Sequence, residues 1–222
     1  MWNNNICLAS SSPRRREMFA WIGLSFKHLS TDINEEAWRG ELPVEYVMRL
    51  AQQKAQKGRE KLTEKSLVVA ADTIVALDGE MLGKPEDTLA AENMLRKLRG
   101  RIHQVITALC VIDVQSDTSY QDHCLTQVEM RLYSDEEIRA YIESGDPLDK
   151  AGAYAIQHRI FKPVVNFNGC FASVMGLPLC HLERTFRKID GYPKRDMPEI
   201  CKNNVGYTCP IFQQVLAGEE IG

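Results

Sequence analysis

Three short segments carry the residue types that phosphate chemistry requires. Ser10–Arg16 reads SSSPRRR, three hydroxyls followed by three cations. A Ser cap with proline in the first turn opens a helix, and the free N–H groups and dipole of that helix end favour an anion. Arginines can grip phosphate oxygens two at a time. The same letters also suit an ordinary helix cap leading into a solvated basic face. Asp72 sits inside the apolar run Val68–Val75. A carboxylate there is costly unless it pairs with a cation or binds a metal, so it is either a site residue or a structural acid met by one arginine or by backbone N–H groups. Lys150–Gln157 reads KAGAYAIQ, small residues between polar ones. Small residues let backbone approach a ligand, with Lys150 reaching phosphate and Gln157 reading a base or sugar edge. The bland alternative is a tight loop into a strand with Lys150 exposed.

Three further positions join these segments. Lys54 falls on the apolar side of a helix, where it either snorkels or meets a phosphate or Asp72. Gly83-Lys84 lacks the spacing of a P-loop, and Pro85 stands where the metal-binding hydroxyl would be, but Lys84 can still contact an anion from a stiff turn. Glu35 and Glu36 form either a metal-assisting pair or a solvated acidic loop. Cys201 and Cys209 are separated by a gap unlike usual zinc spacing, and His28, His103, His123 and His158 show no ligand-like spacing.

The elements that must position these groups follow from periodicity and punctuation. Ile6–Ala9 reads as a strand, and Arg14–Trp21 as a helix ending at Gly23. Phe26–Ile33 reads as a second strand. Pro43–Leu62 is a helix with Val44, Val47, Leu50 and Ala51 on its apolar stripe. Leu67–Leu77, apolar on both faces, is a central strand in which Asp72 and Thr73 point to opposite sides. A short strand ends at Gly83, and Thr88–Leu98 is a helix stopped by Gly100. His103–Val114 and Tyr120–Tyr133 form a hairpin. Ser134–Glu137 is a capping box that opens the next helix. Cys170–Met175 reads as a last strand, followed by a helix to about Ile189. From Asp190 the period is lost, so residues 190–222 read as a tail or loosely packed appendage to a domain spanning 1–189.

Bulk properties narrow the function classes. The chain has 222 residues and a net charge of −3, so it offers no global basic field for a nucleic-acid backbone. The polar Met1–Asn5 start does not read as a signal peptide, and no run is apolar enough to span a membrane. Seven scattered cysteines suit reduced thiols in a cytoplasmic setting. The expected protein is therefore cytoplasmic, without a nucleic-acid or membrane partner.

In their order, these segments resemble the Maf family of nucleoside triphosphate pyrophosphatases. The matching pieces are Leu8–Arg15 (LASSSPRR), Arg49–Ala55 (RLAQQKA), Ala71–Val75 (ADTIV), Gly83–Pro85 (GKP), Asp149–Gln157 (DKAGAYAIQ) and Val174–Pro178 (VMGLP). The resemblance implies an α/β fold with a mixed central sheet flanked by helices and two lobes around a cleft, akin to inosine triphosphatases. It implies cleavage of a nucleoside triphosphate to the monophosphate and pyrophosphate with a divalent metal cation, Mg²⁺ or Mn²⁺, held by Asp72 and Glu35. Asp72 would be the acid/base. Ser12, Arg15, Lys54 and Lys84 would hold phosphates, and Glu35 would assist metal or water. Arg14, Thr73 and Gln157 match the specificity positions of the dTTP/UTP subgroup. A homodimer is also implied. The chain departs from the family after Gln157, where His158–Pro163 (HRIFKP) replaces glycines, and it departs again beyond Asp190. A pyrophosphatase of different base preference, or a nucleotide-sensing protein using the same pocket without turnover, are the competing readings.

Overall fold

In the computed structural model, residues 5–62, 65–219 and 221 are described, so the reading of Met1–Asn4 lies outside them. In chain order the elements are β1 (Asn5–Ala9), α1 (Pro13–Ala20), β2 (Phe26–Leu29), α2 (Pro43–Arg59), β3 (Ser66–Leu77), β4 (Glu80–Leu82) and α3 (Thr88–Leu98). They continue with β5 (Ile102–Asp113), β6 (Thr118–Met130), α4 (Asp135–Glu143), β7 (Val164–Val165), α5 (Phe171–Met175), α6 (Leu179–Phe186), α7 (Met197–Val205) and α8 (Phe212–Ala217). Two 3₁₀ turns, Asp146–Asp149 and Ala151–Ala153, link α4 to β7.

The strands form one mixed seven-stranded sheet in the order β2-β1-β3-β5-β6-β7, with β4 also on β3. β1 runs parallel to both β2 and β3, while β3, β5 and β6 form a long antiparallel meander. One edge of β3 is shared. β1 pairs with Ser66–Val69 and β4 pairs with Val75–Leu77. Among the described residues no strand covers Ala70–Ile74 on that edge, and this gap holds Asp72 and Thr73.

Strand alternation sorts β3 onto two faces. The even-numbered Val68, Ala70, Ile74 and Ala76 pack under α2 with Ile106, Ala108 and Ile112 of β5. The odd-numbered face is split. Leu67, Val69 and Ala71 join Met18 and Phe19 of α1 and the helices α5 and α6. Val75 and Leu77 join Leu95 and Leu98 of α3 and Ile138 and Tyr141 of α4. Thr73, opposite Thr107 on β5, lies between the two clusters, so the two lobes are the two halves of one sheet face.

Capping chemistry explains several helix starts. The Ser12 side chain accepts from Arg15 N–H, Pro13 occupies the first turn of α1, and Ser134 and Glu137 cap α4 reciprocally. Three sequence expectations need correction. The second strand stops at Leu29, and Ser30–Ile33 is irregular chain that lines the cleft. Cys170–Met175 is the N-cap and body of a helix, because the Cys170 side chain accepts from Ser173 N–H and Gly176 closes the turn in the left-handed region. The loop at Lys150 leads through 3₁₀ turns rather than directly into a strand. Residues 190–219 carry α7 and α8, whose Met197, Cys201 and Val215 are buried against the α1/α6 core. Arg184 of α6 pairs with Asp122 of β6 and donates to the carbonyls of Val215 and Glu219, holding α8 down.

Helix α2 lies unusually close to the sheet. A Cβ at Gly58 would sit 2.9 Å from both Ala9 Cβ and Val68 Cγ1, which only glycine avoids. Gly58→Val should therefore lower stability by about 1–3 kcal/mol through overpacking, read from the guanidinium unfolding midpoint. An unchanged midpoint would show that α2 can lift away freely.

Candidate active site

The gap in β3 opens into a cleft of ≈ 560 Å³, within the usual range for small-ligand sites. Ser10–Arg15, Glu35, Lys54, Asp72, Thr73, Lys84 and Lys150 all line it. Six separate pieces of chain thus meet where β1 ends and β3 is unpaired, the crevice position in which open α/β sheets bind ligands.

Its centre is a cation held by two acids. Lys54 rides on the buried stripe of α2 with Leu50, Ala51 and Gly58, which aims its stem at β3. Its Nζ lies 2.5 Å from Asp72 Oδ1 and 2.6 Å from Glu35 Oε1. The acid that β3 buries is thereby satisfied, and the lysine is not snorkelling into open water. Glu35 stands on irregular chain, so its position depends on α2. Tyr46 Oη donates to Glu35 O at 2.8 Å, and Arg49 donates to Glu36 O while its fork clasps Glu41 and stacks on Trp38. Burial acts to raise the Glu35 carboxyl pKa, but the Lys54 hydrogen bond and the charges of Lys54, Lys84 and Arg15 outweigh it and leave it below its ordinary value. Burial, with Asp72 and Glu35 nearby, pushes the Tyr46 phenol up to about 12, so it remains a neutral donor.

On the other face, Arg15 is held by fixed acceptors. Its Nε donates to Gly176 O at 2.8 Å and its Nη2 to Thr73 Oγ1 at 2.9 Å. Thr107 donates to Ser173 O at 2.8 Å, so its oxygen is free to accept from Thr73 at 2.9 Å. The polar chain Arg15–Thr73–Thr107–Ser173 therefore has one proton order and locks the guanidinium at the cleft floor. Gly176 has φ of +105°, a left-handed conformation that favours glycine where this clasp closes. Burial is the largest influence on Arg15 and lowers its pKa, with Asp72 and Glu35 opposing.

The remaining cations divide into free and engaged. Arg14 and the exposed Lys84 line the cleft with no ion-pair partner among the described residues. Gly83 O accepts from Gly152 N–H at 3.0 Å, fixing the Lys84 turn against the 3₁₀ loop. Lys150, by contrast, is buried, and its Nζ meets Asp149 at 2.5 Å and Asp146 at 3.0 Å. Its charge closes the loop internally. Gln157 is exposed and outside the cleft lining, because the chain turns at Ile156–Gln157 before reaching it. Ser12 reaches the cleft while capping α1. His103 is a neutral core histidine, pushed down to about 4 by burial and bonded to Tyr154 Oη at 2.8 Å.

Sequence reasoning passed over Tyr46, Arg49 and Thr107. Tyr46 was detectable, since positions 46, 50 and 54 repeat every fourth residue along one side of α2. Thr107 had no signal, because its place beside Thr73 depends on the β3–β5 register.

As donors, Glu35 and Asp72 bring two carboxylates from different elements onto one cationic centre. Such an oxygen set fits a hard divalent cation as it fits the ammonium of Lys54.

Known proteins are similar to this chain over most of its length. The chain is similar to a dTTP/UTP pyrophosphatase of Geobacter sp. (strain M21), 44% identical over 189 residues, covering 85% of this chain and 97% of that protein. It is similar to a dTTP/UTP pyrophosphatase of Escherichia coli O6:K15:H31 (strain 536 / UPEC), 46% identical over 177 residues, covering 79% and 88%. Among solved structures, the Staphylococcus aureus Ham1 protein aligns at a TM-score of 0.42 and 19% identity, over 57% of this chain and 72% of that one. The model of the family described as Maf-like protein matches residues 5–189, most of the chain, and stops where the α7–α8 extension begins. With its cleft-lining segments inside that match, the chain belongs to the Maf-like protein family.

Proposed function

We propose that this protein hydrolyses a nucleoside triphosphate, dTTP or UTP, to the monophosphate and pyrophosphate. The observation that carries the reading is the Glu35–Lys54–Asp72 cluster at the uncovered edge of β3, faced by Arg15 and the Ser10–Ser12 loop. Relatives similar over most of their length bear the name dTTP/UTP pyrophosphatase. A protein that only bound a triphosphate would gain nothing from two carboxylates facing its phosphates.

Phosphate oxygens of the substrate lie against Arg15, Lys84, Lys54 and the hydroxyls before α1. Fixed cations there stabilise charge that builds on the leaving pyrophosphate, and the clasp on Arg15 means that no reorganisation is needed as it builds. Asp72 accepts a proton from water. The water oxygen bonds to the α-phosphorus, and the bond to the bridging oxygen breaks, with its electron pair leaving on pyrophosphate. Lys54 Nζ, 2.5 Å from Asp72 Oδ1, fixes where the carboxylate stands before the step. Glu35 and Asp72 would hold Mg²⁺ or Mn²⁺, which when bound supplies further charge neutralisation on the phosphates. Arg14 and Thr73, on the cleft wall, are placed to meet the nucleoside end, whereas Gln157 reaches it only if the His158–Pro163 segment shifts on binding.

Pyrophosphate release measured separately with dTTP, UTP, CTP and GTP tests the reading: turnover of the first two supports it, and binding without release would favour the sensor. Asp72→Asn should fold, because Lys54 retains Glu35, yet lose at least ~10²-fold in kcat. Wild-type turnover in that variant would remove Asp72 from the chemistry. Lys84→Ala should raise KM and leave the unfolding temperature unchanged, since exposed Lys84 has no ion-pair partner among the described residues. An unaltered KM would leave Lys84 as a bystander.

A further inference from the structure

A second cluster of chemistry-bearing side chains lies outside the cleft lining, inside the α1/α6 core. Cys124 of β6, Cys170 at the N-cap of α5 and His181 of α6 are all buried, and one donor atom from each lies within 4.8 Å of the others. Three elements distant in sequence thus converge two thiols and an imidazole on one point. His181 Nε2 lies 3.2 Å from Ile221 O, its only possible partner there being an acceptor, so that nitrogen carries the proton. Nδ1 is buried with no hydrogen-bond partner and carries the lone pair. A ring nitrogen bonded to a backbone carbonyl with the other left open is the tautomer of a metal-ligating histidine. The sulfurs of Cys124 and Cys170 are the groups beside the ring.

The α7–α8 extension brings a fourth donor beside them. Tyr207 packs against Phe167 and Phe171 and accepts from Gly169 N–H, so the following segment lies along the start of α5. Cys209 Sγ lies 3.8 Å from the carbonyl oxygen of Gly169, the residue before Cys170. Cys209 is only partly buried, so solvent reaches its side chain.

We propose that Cys124, Cys170, His181 and Cys209 bind one zinc-class divalent ion in a closed tetrahedral site that staples the C-terminal extension to the family domain. Thiolate and imidazole ligands select such soft to borderline ions, and three cysteines with one histidine form a structural rather than a catalytic set. The hard cation of the cleft would not compete for it. The ligands are spread over 124–209, so no short spacing motif announces them.

The test is the metal content of the full chain purified without added metal. About one zinc per protein is expected, resistant to dialysis against EDTA and released by a mercurial thiol reagent. Cys124→Ser, Cys209→Ser and His181→Ala should each lose the metal, while Cys110→Ser, on the α2 face of the sheet, should keep it. Cobalt loading of the wild-type protein reads the ligands independently of variant folding: sulfur-to-cobalt charge-transfer bands with tetrahedral visible bands are expected. Metal-free folded protein that takes up no cobalt, or full zinc in Cys124→Ser, overturns the site. Full EDTA-resistant zinc in Cys209→Ser overturns the staple.

Discussion

The ammonium of Lys54 between Asp72 and Glu35 is the constraint around which the protein is arranged. A carboxylate in the middle of a buried strand cannot be left alone, and removing the partner of such a pair costs about 3–5 kcal/mol. Lys54 can serve only if α2 lies close on the sheet, which Gly58 permits, and if the helix presents that position at β3. Glu35 can join only if an irregular loop is pinned, which Tyr46 and Arg49 do from the same helix. One helix therefore supplies the packing, the cation and the brackets for the second acid. Pairing of this kind contributes little net stability, so its value lies in holding two carboxylates close.

The sheet adds access. Because β1 and β4 share one edge of β3 and leave Ala70–Ile74 uncovered, groups on opposite faces of a single strand reach one cleft. Asp72 faces α2 and the acids. Thr73 faces the split core and passes a fixed hydrogen-bond order from Arg15 to Ser173. The carboxylate side and the cationic side of the cleft are thus set by strand alternation, and the two lobes are what remains on either side of the polar Thr73–Thr107 seam.

Much of this was legible in the sequence, for reasons that are local. Asp72 stood out against its apolar neighbours, Lys54 fell on a periodic stripe, and Ser12-Pro13 announced a helix start. The hairpin and the α3 and α4 boundaries followed from turns and caps. What was not legible depends on contacts between distant segments. Lys150 looks like a free cation until Asp146 and Asp149 close on it. Gln157 looks like a base reader until the turn carries it out of the cleft. Cys170–Met175 is too short an apolar run for periodicity to separate helix from strand. The burial of Met197 and Val215 beyond Asp190 had no pattern, because two short helices offer too few turns to show one.

In the proposed reaction, water attacks the α-phosphorus beside Asp72. Hydrolysis of dTTP or UTP in heavy-oxygen water, with both products analysed by mass spectrometry, reads that atom directly. The label should appear in the nucleoside monophosphate, with unlabelled pyrophosphate as the other product. Label in pyrophosphate, or release of orthophosphate instead, would contradict it.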